Sequence, residues 1–239
     1  MDKVSVIIPT FNRFKYVLNT IKSIQEQTYK NIEIIVVNDC STQKEYYEYN
    51  WKTNGINIIH LEKNSKSLFG FACAAHVRNK GIEYSSGKYI AFCDDDDIWF
   101  PNKIELQIKA MEETGCKMSS TDGLYGTGIY DSSKLYKIYN AEHYYNTLKN
   151  IYKRKGSRLL DDGFPKIWNR DFLSVHNCMI TSSILIEREI LNKINNIKCL
   201  KNGKEDYDCW LRALEHTNSV YINEISFYYD GGHAYGRNY

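Results

Sequence analysis

Continuous apolar runs alternate with segments of helical spacing through the first half of the chain. A run without polar alternation predicts a strand that is buried on both faces of a sheet. Apolar residues three and four positions apart predict a helix that packs back on that sheet. The predicted strands are 4–8, 32–37, 56–61 and 88–92, and the predicted helices are 14–24, 45–51, 72–84 and 101–111. Strand and helix alternate four times, which predicts a parallel, doubly wound sheet of the α/β class.

The pattern is less regular after about residue 120. Residues 121–134 are rich in Gly, Ser, Thr and Asp, so we predict a loop there, as at residues 64–70. Residues 136–170 show no clean period. The remaining pattern predicts a strand at 177–186, helices at 187–194 and 205–214, and two short strands at 220–222 and 226–229. No linker or internal repeat divides the chain, so we predict a single domain over residues 1–239.

Composition narrows the class of protein. The chain has 239 residues, 43% of them hydrophobic, which is enough for a buried core. The formal net charge is +2, so no strong field favours nucleic acid or a membrane surface. The seven cysteines are scattered without a CxxC motif, which indicates thiols in a reducing compartment rather than a disulfide framework. We find no signal-like leader and no apolar run long enough for a transmembrane segment, and therefore expect a soluble, cytoplasmic protein.

Polar side chains follow three of the predicted strands. Thr10 and Arg13 come after the first strand, Asp39 after the second, and four aspartates, residues 94–97, after the fourth. The carboxyl ends of parallel strands form a ligand-binding edge, so these groups are predicted to converge. Adjacent carboxylates repel one another, which favours a bound hard divalent cation that carries a diphosphate. The alternative is a solvated acidic turn.

Four ordered motifs resemble those of the family 2 glycosyltransferases, which have the GT-A fold. The resemblance implies a Rossmann-like, mostly parallel sheet flanked by helices, with a nucleotide-sugar-binding half at 1–120 and a mixed acceptor-side half, carrying the catalytic base, at 121–239. The resemblance is dense over residues 3–115 and loose over residues 177–230. One position departs from the family pattern, since Cys40 stands where the family usually has Gly. The motifs are an opening strand and loop (4–13), a D-x-S element (39–41), R-N-x-G with the acidic run (78–81 and 87–97), and E-D-Y-D-x-W-x-R (205–212).

The resemblance assigns the loop after the first strand to the nucleotide sugar. Pro9 and Thr10 belong to this loop. Phe11 either stacks on the base or is ordinary core. Arg13 is either a diphosphate contact or a surface charge at a helix start.

Two further residues are implied in donor binding. Asp39 would accept a hydrogen bond from uracil N3–H, and the alternative is a local Asx-turn or helix cap. Arg78 would grip phosphate or sugar oxygens with its guanidinium fork, and the alternative is a surface salt bridge of little energetic worth.

The acidic run is implied to hold the metal, Mn²⁺ or Mg²⁺. Residues i and i+2 of an extended chain point the same way, so Asp94 and Asp96 are expected to face one ligand. The resemblance implies that Asp96 ligates the ion and that Asp94, or Asp95, contacts the donor. His233 would complete the metal shell, with Arg237 as a phosphate clamp, and the alternative is a solvated surface histidine.

Asp206 is implied to be the general base that takes the proton from the acceptor hydroxyl, and capping of its helix is the alternative. His176, Trp168 and Trp210 are candidates for the acceptor side. We therefore predict an inverting glycosyltransferase that moves a hexose from a UDP-sugar, UDP-glucose or UDP-galactose being favoured, to a hydroxyl of a glycan or glycosylated protein. A sugar-1-phosphate nucleotidyltransferase and an inactive nucleotide-sugar-binding protein remain alternatives, as does a phospho-acceptor module. The oligomeric state, a dimer included, stays open.

Overall fold

Ten strands form one continuous mixed sheet in a computed structural model that describes residues 1–232. The predicted ligand His233 and the predicted clamp Arg237 lie outside the described residues. The strands are β1 (Val4–Thr10), β2 (Ile32–Asn38), β3 (Ile56–His60), β4 (Tyr89–Phe92), β5 (Ile98–Trp99), β6 (Met118–Gly126), β7 (Lys137–Ile138), β8 (Ile167–Trp168), β9 (Leu185–Glu187) and β10 (Ser219–Asp230).

Parallel pairing brings the carboxyl ends of six strands to one edge of the sheet. The order is β3-β2-β1-β4-β9-β6-β10-β5, with β7 paired to β6 and β8 paired to β10. The first four strands of that order are mutually parallel. β9 is antiparallel to both β4 and β6, and β10 is parallel to β6. It follows that β6 and β10 run in the same direction as β1 to β4.

Helices cover both faces of this sheet. Two apolar clusters, one on each side, contain the alternate residues of β1: Ile7 lies in one, and Val6 and Ile8 lie in the other. This is why β1 reads as an unbroken apolar run. The helices are α1 (Phe14–Gln25), α2 (Glu45–Glu48), α3 (Ser65–Phe69), α4 (Ala74–Tyr84), α5 (Lys103–Thr114), α6 (Tyr145–Arg154), α7 (Arg170–Leu173), α8 (Arg188–Lys193) and α9 (Glu205–Ala213), with 3-10 turns at Lys52–Asn54 and Thr181–Ser183 and a π-helix at Tyr139–Tyr144.

The predicted parallel sheet is confirmed, and four local predictions are wrong. The first strand was predicted to end at residue 8, but β1 continues through Pro9 to Thr10. The predicted loop at 64–70 is α3, because Asn64 caps it by accepting from the Lys66 N–H. The predicted loop at 121–134 begins inside β6, and the two predicted strands near the end of the chain are one bulged strand, β10.

Candidate active site

The four aspartates after β4 form a tight turn. The Asp97 N–H donates to the Asp94 carbonyl at 3.1 Å, so the expectation that Asp94 and Asp96 project together from an extended chain is wrong. Asp95, Asp96 and Asp97 are buried, whereas Asp94 is partly exposed. Burial and the three neighbouring carboxylates raise the pKa of Asp96 to about 10. The turn is therefore a buried cluster of carboxyl groups whose simultaneous ionisation is unfavourable, and not a solvated acidic turn.

The loop after β1 closes over this turn. The Arg13 Nη1 donates to Asp95 Oδ1 at 2.9 Å and to Asp96 Oδ2 at 3.0 Å. The Thr10 hydroxyl donates to Asp95 Oδ2 at 2.7 Å. The structure thus brings four predicted site residues together, and Arg13 is more than a surface charge. Pro9 is buried within β1 and Phe11 is half-buried just beyond it.

Asp97 joins the acidic turn to the far half of the sheet. Its Oδ1 accepts from the backbone N–H of Asp230, the last residue of β10, at 2.9 Å. Its backbone carbonyl accepts from the Thr20 hydroxyl of α1 at 2.7 Å. The turn is therefore fixed from both sides by protein groups.

Asp39 is fully buried at the carboxyl end of β2. Its oxygens accept from the Ser65 N–H and hydroxyl, both at 2.7 Å, and from Asn64 Nδ2 at 3.1 Å. Burial raises the pKa of Asp39, and the Ser65 hydrogen bonds act in the opposite direction. Asp39 thereby fixes the start of α3, and its role toward uracil stays a prediction.

Arg78 connects the acidic turn with the predicted base. It lies on α4 with a side chain only 8% exposed, so the alternative of a surface salt bridge is wrong. Its Nη2 donates to Asp94 Oδ1 at 2.5 Å. Its positive charge also acts to lower the pKa of Asp206. The guanidinium of Arg78 thus pairs with Asp94 and acts electrostatically on Asp206.

Asp206 is the second residue of α9 and is partly buried. Its Oδ1 accepts from the following Tyr207 N–H at 2.7 Å, and its Oδ2 accepts from Asn177 Nδ2 at 3.3 Å. Burial raises the pKa of this carboxyl more than those contacts and Arg78 lower it. A carboxylate of raised pKa is suited to accept a proton. Asn177 was not predicted, and no sequence motif marks it.

The tryptophans predicted for the acceptor side are core residues. Trp168 and Trp210 are fully buried, and the Trp168 ring stacks on Tyr221 at a centroid distance of 4.3 Å. His176 is half-buried, and its ring lies 4.5 Å from that of Tyr144.

The acidic turn is suited to a divalent metal only in part. Carboxylate oxygens of Asp94 and Asp96 are hard donors, and a dication would offset the mutual repulsion that raises the Asp96 pKa. Among residues 1–232, however, no three His, Cys, Asp or Glu side chains are grouped as metal ligands. The donor set therefore fits an ion of the Mg²⁺ type, which takes one or two carboxylates and completes its shell with phosphate oxygens and water.

The architecture is the GT-A fold of glycosyltransferases. A complex of Staphylococcus aureus TarS (residues 1–349) with UDP-GlcNAc aligns at a TM-score of 0.65 and 17% identity, covering 95% of this chain and 58% of TarS. The mannosyltransferase PcManGT of Pyrobaculum calidifontis, solved with GDP-Man and Mn²⁺, aligns at 0.65 and 16% identity, covering 98% and 59%.

The family model described as Glycosyl transferase family 2 matches residues 5–194, and the chain belongs to this family of transferases. Asp206 lies beyond the matched residues. An uncharacterized glycosyltransferase of Rickettsia bellii is 46% identical over 50% of this chain, which spans 16% of that protein. The putative teichuronic acid biosynthesis glycosyltransferase TuaG of Bacillus subtilis is 35% identical, over 62% of this chain and 57% of its own length. The Escherichia coli UDP-Glc:alpha-D-GlcNAc-diphosphoundecaprenol beta-1,3-glucosyltransferase WfgD is 28% identical, over 92% and 73%.

No helix within residues 1–232 is both long and apolar enough to cross a bilayer.

Proposed function

We propose that this protein is an inverting, metal-assisted glycosyltransferase that moves a hexose from a UDP-sugar to a hydroxyl of a glycan or glycosylated protein. The names of relatives support a UDP-sugar donor, since WfgD is a UDP-Glc enzyme and the TarS complex holds UDP-GlcNAc. PcManGT holds GDP-Man on the same fold, so the choice of uridine rests on Asp39. UDP-glucose and UDP-galactose are the favoured donors.

One observation carries the proposal: the buried guanidinium of Arg78 donates to Asp94 of the acidic turn, and its charge also acts on Asp206 at the start of α9. A cation that acts on both the donor-side and the acceptor-side carboxylate fits a site in which the two substrates meet. In this arrangement Arg78 is placed to contact phosphate or sugar oxygens of the donor.

The transfer step needs a base and a stabilised leaving group. Asp206 takes the proton of the acceptor hydroxyl as that oxygen bonds to the anomeric carbon, and the bond from this carbon to the UDP oxygen breaks. Attack opposite the leaving group inverts the anomeric configuration. Asp96 would hold the metal and Asp94 would contact the donor; the metal, when bound, would neutralise charge on the departing diphosphate. Arg13 keeps Asp95 and Asp96 in place through its two ion pairs.

The substitution Asp206→Asn tests the base. It is expected to leave UDP binding by calorimetry within about twofold and to lower the rate of UDP release by about a hundredfold or more. Asp208→Asn is the matched control, since Asp208 lies on the same helix but pairs with Arg212 at 2.7 Å. Turnover retained in Asp206→Asn would remove this residue as the base.

The same assay separates the alternatives. A sugar-1-phosphate nucleotidyltransferase would release pyrophosphate from a nucleoside triphosphate and not UDP from a UDP-sugar. An inactive nucleotide-sugar-binding protein would bind the donor and release nothing with any acceptor.

A further inference from the structure

Five aromatic rings form a continuous row on the acceptor-side half. We call this the aromatic row: Tyr229, Tyr125, His143, Tyr144 and His176. Successive centroids are 5.8, 5.8, 4.5 and 4.5 Å apart. The rings come from β10, β6, the π-helix and the segment before the Thr181–Ser183 turn, so the row is built by the tertiary fold and not by a sequence repeat.

The two end residues of the row are chain neighbours of residues that bond to the candidate active site. Tyr229 precedes Asp230, whose N–H donates to Asp97 of the acidic turn. At the other end, His176 precedes Asn177, whose amide donates to Asp206. The backbone thus ties both ends of the row to the candidate site.

A buried carboxylate holds the middle of the row in place. Asp122 is 1% exposed and accepts from the backbone N–H groups of Asn140 and Ala141 at 2.9 and 3.0 Å. The Tyr221 hydroxyl donates to the same carboxylate at 2.9 Å. These bonds fix the first turn of the π-helix that carries His143 and Tyr144. No step of the proposed mechanism uses Asp122, so its role is to position that helix.

The row is accessible from solvent. His143 is exposed, and the other four residues are partly exposed.

We propose that the aromatic row is the subsite that binds a neutral, saccharide part of the acceptor, with its sugar rings lying against the aromatic faces. This deepens the proposed function and rests on it. Aromatic rings offer an apolar face with a polar edge, which matches the apolar C–H face and hydroxyl rim of a pyranose. Tyrosine and histidine carry no fixed charge, so the row is better suited to neutral sugar units than to phosphates.

Binding of simple oligosaccharides to the intact chain tests this subsite without turnover. The probes are maltose, cellobiose and chitobiose at millimolar concentration, observed by saturation-transfer NMR. At least one is expected to show transfer to its ring C–H protons. His143→Ala and Tyr144→Ala are expected to weaken that binding about tenfold, since each loses one ring contact. Tyr84→Ala is the matched control, because Tyr84 is 70% exposed at the end of α4 and lies outside the row.

The outcomes are distinguishable from failure of the proposed function. Because His143 is exposed, His143→Ala is expected to fold, and this variant decides the result if Tyr144→Ala does not. No transfer to any probe, or transfer unchanged in His143→Ala, would overturn the subsite even if UDP still binds. Saccharide binding that is weakened by substitutions in the row would support the subsite. If the same protein did not bind UDP, the donor part of the proposed function would fail and the subsite would stand.

Discussion

Lys103 is fully buried at the start of α5, and replacing it with methionine tests the electrostatics of the core. Its Nζ donates to Gln107 Oε1 at 2.6 Å and lies 4.1 Å from the centre of the Trp99 ring. Burial lowers the pKa of Lys103 to about 7, and the nearby Cys93 thiol acts in the opposite direction. At neutral pH this amine is therefore about half protonated in the folded protein.

The expected effect follows from proton linkage. The folded pKa of about 7 lies below the reference value of 10.5, so between these pH values the unfolded chain holds a proton that the folded protein lacks. The free energy of unfolding therefore rises with pH across this interval. Each pH unit adds up to about 1.4 kcal/mol. Because Lys103 is half protonated at pH 7, the gain from pH 7 to pH 9 is about 2 kcal/mol.

Urea unfolding of the wild type and Lys103→Met at both pH values measures this gain. The variant should lack it, and the difference between the two proteins cancels all other groups that titrate alike. Lys109→Met on the exposed face of the same helix is the control and should keep the full gain. The reasoning would be refuted if the free energy of unfolding changed between pH 7 and pH 9 by the same amount, within about 0.5 kcal/mol, in the wild type and in Lys103→Met.

Three further predictions concern the backbone near the site and the metal. Cys40 has a φ of 59°, in the left-handed region that favours glycine. Cys40→Gly should therefore raise the free energy of unfolding, measured in urea, by about 1 kcal/mol. A lower free energy of unfolding would show that the thiol contact with Glu62 outweighs the backbone strain. Gly87→Ala should lower the free energy of unfolding by about 2 kcal/mol or more, because the new Cβ would lie 2.7 Å from the Ser5 backbone nitrogen. An unchanged urea midpoint would mean that β1 can move to make room. Mn²⁺ together with UDP should raise the midpoint of thermal unfolding. EDTA or the substitution Asp96→Asn should remove that rise, whereas the control Asp162→Asn, at an exposed residue, should keep it. A rise that persists in Asp96→Asn would exclude Asp96 as a metal ligand.

The parallel half of the fold could be predicted because its strands are buried on both faces. β1 and β2 are apolar at nearly every position, and that signal is local. β6 was missed because its buried positions include Ser119, Ser120 and Thr121. The polar groups of that strand are satisfied by distant residues: Asp122 accepts from a tyrosine 99 positions away. A composition of Ser, Thr and Asp therefore indicates a loop only where such partners are absent.

The location of the candidate site was predictable, but its internal contacts were not. Asp39, the acidic turn and the loop of Arg13 all follow parallel strands, so the topology places them at the carboxyl edge of the sheet. Which carboxylate each arginine would meet depends on the turn at 94–97, whose closure by a backbone hydrogen bond left no sequence signal. Asn177 and the aromatic row depend on the tertiary packing of residues after 120, where the sequence pattern is less regular.

The short strand β9 has a consequence for any attempt to divide this protein. Three residues of β9 cover the free side of β4 and join it to β6. A fragment that ends near residue 120 would leave the backbone of β4 open to pairing with another copy, and such uncovered strands promote aggregation. Expression of residues 1–120 alone is therefore expected to yield insoluble material, unless a segment that pairs with β4 is supplied.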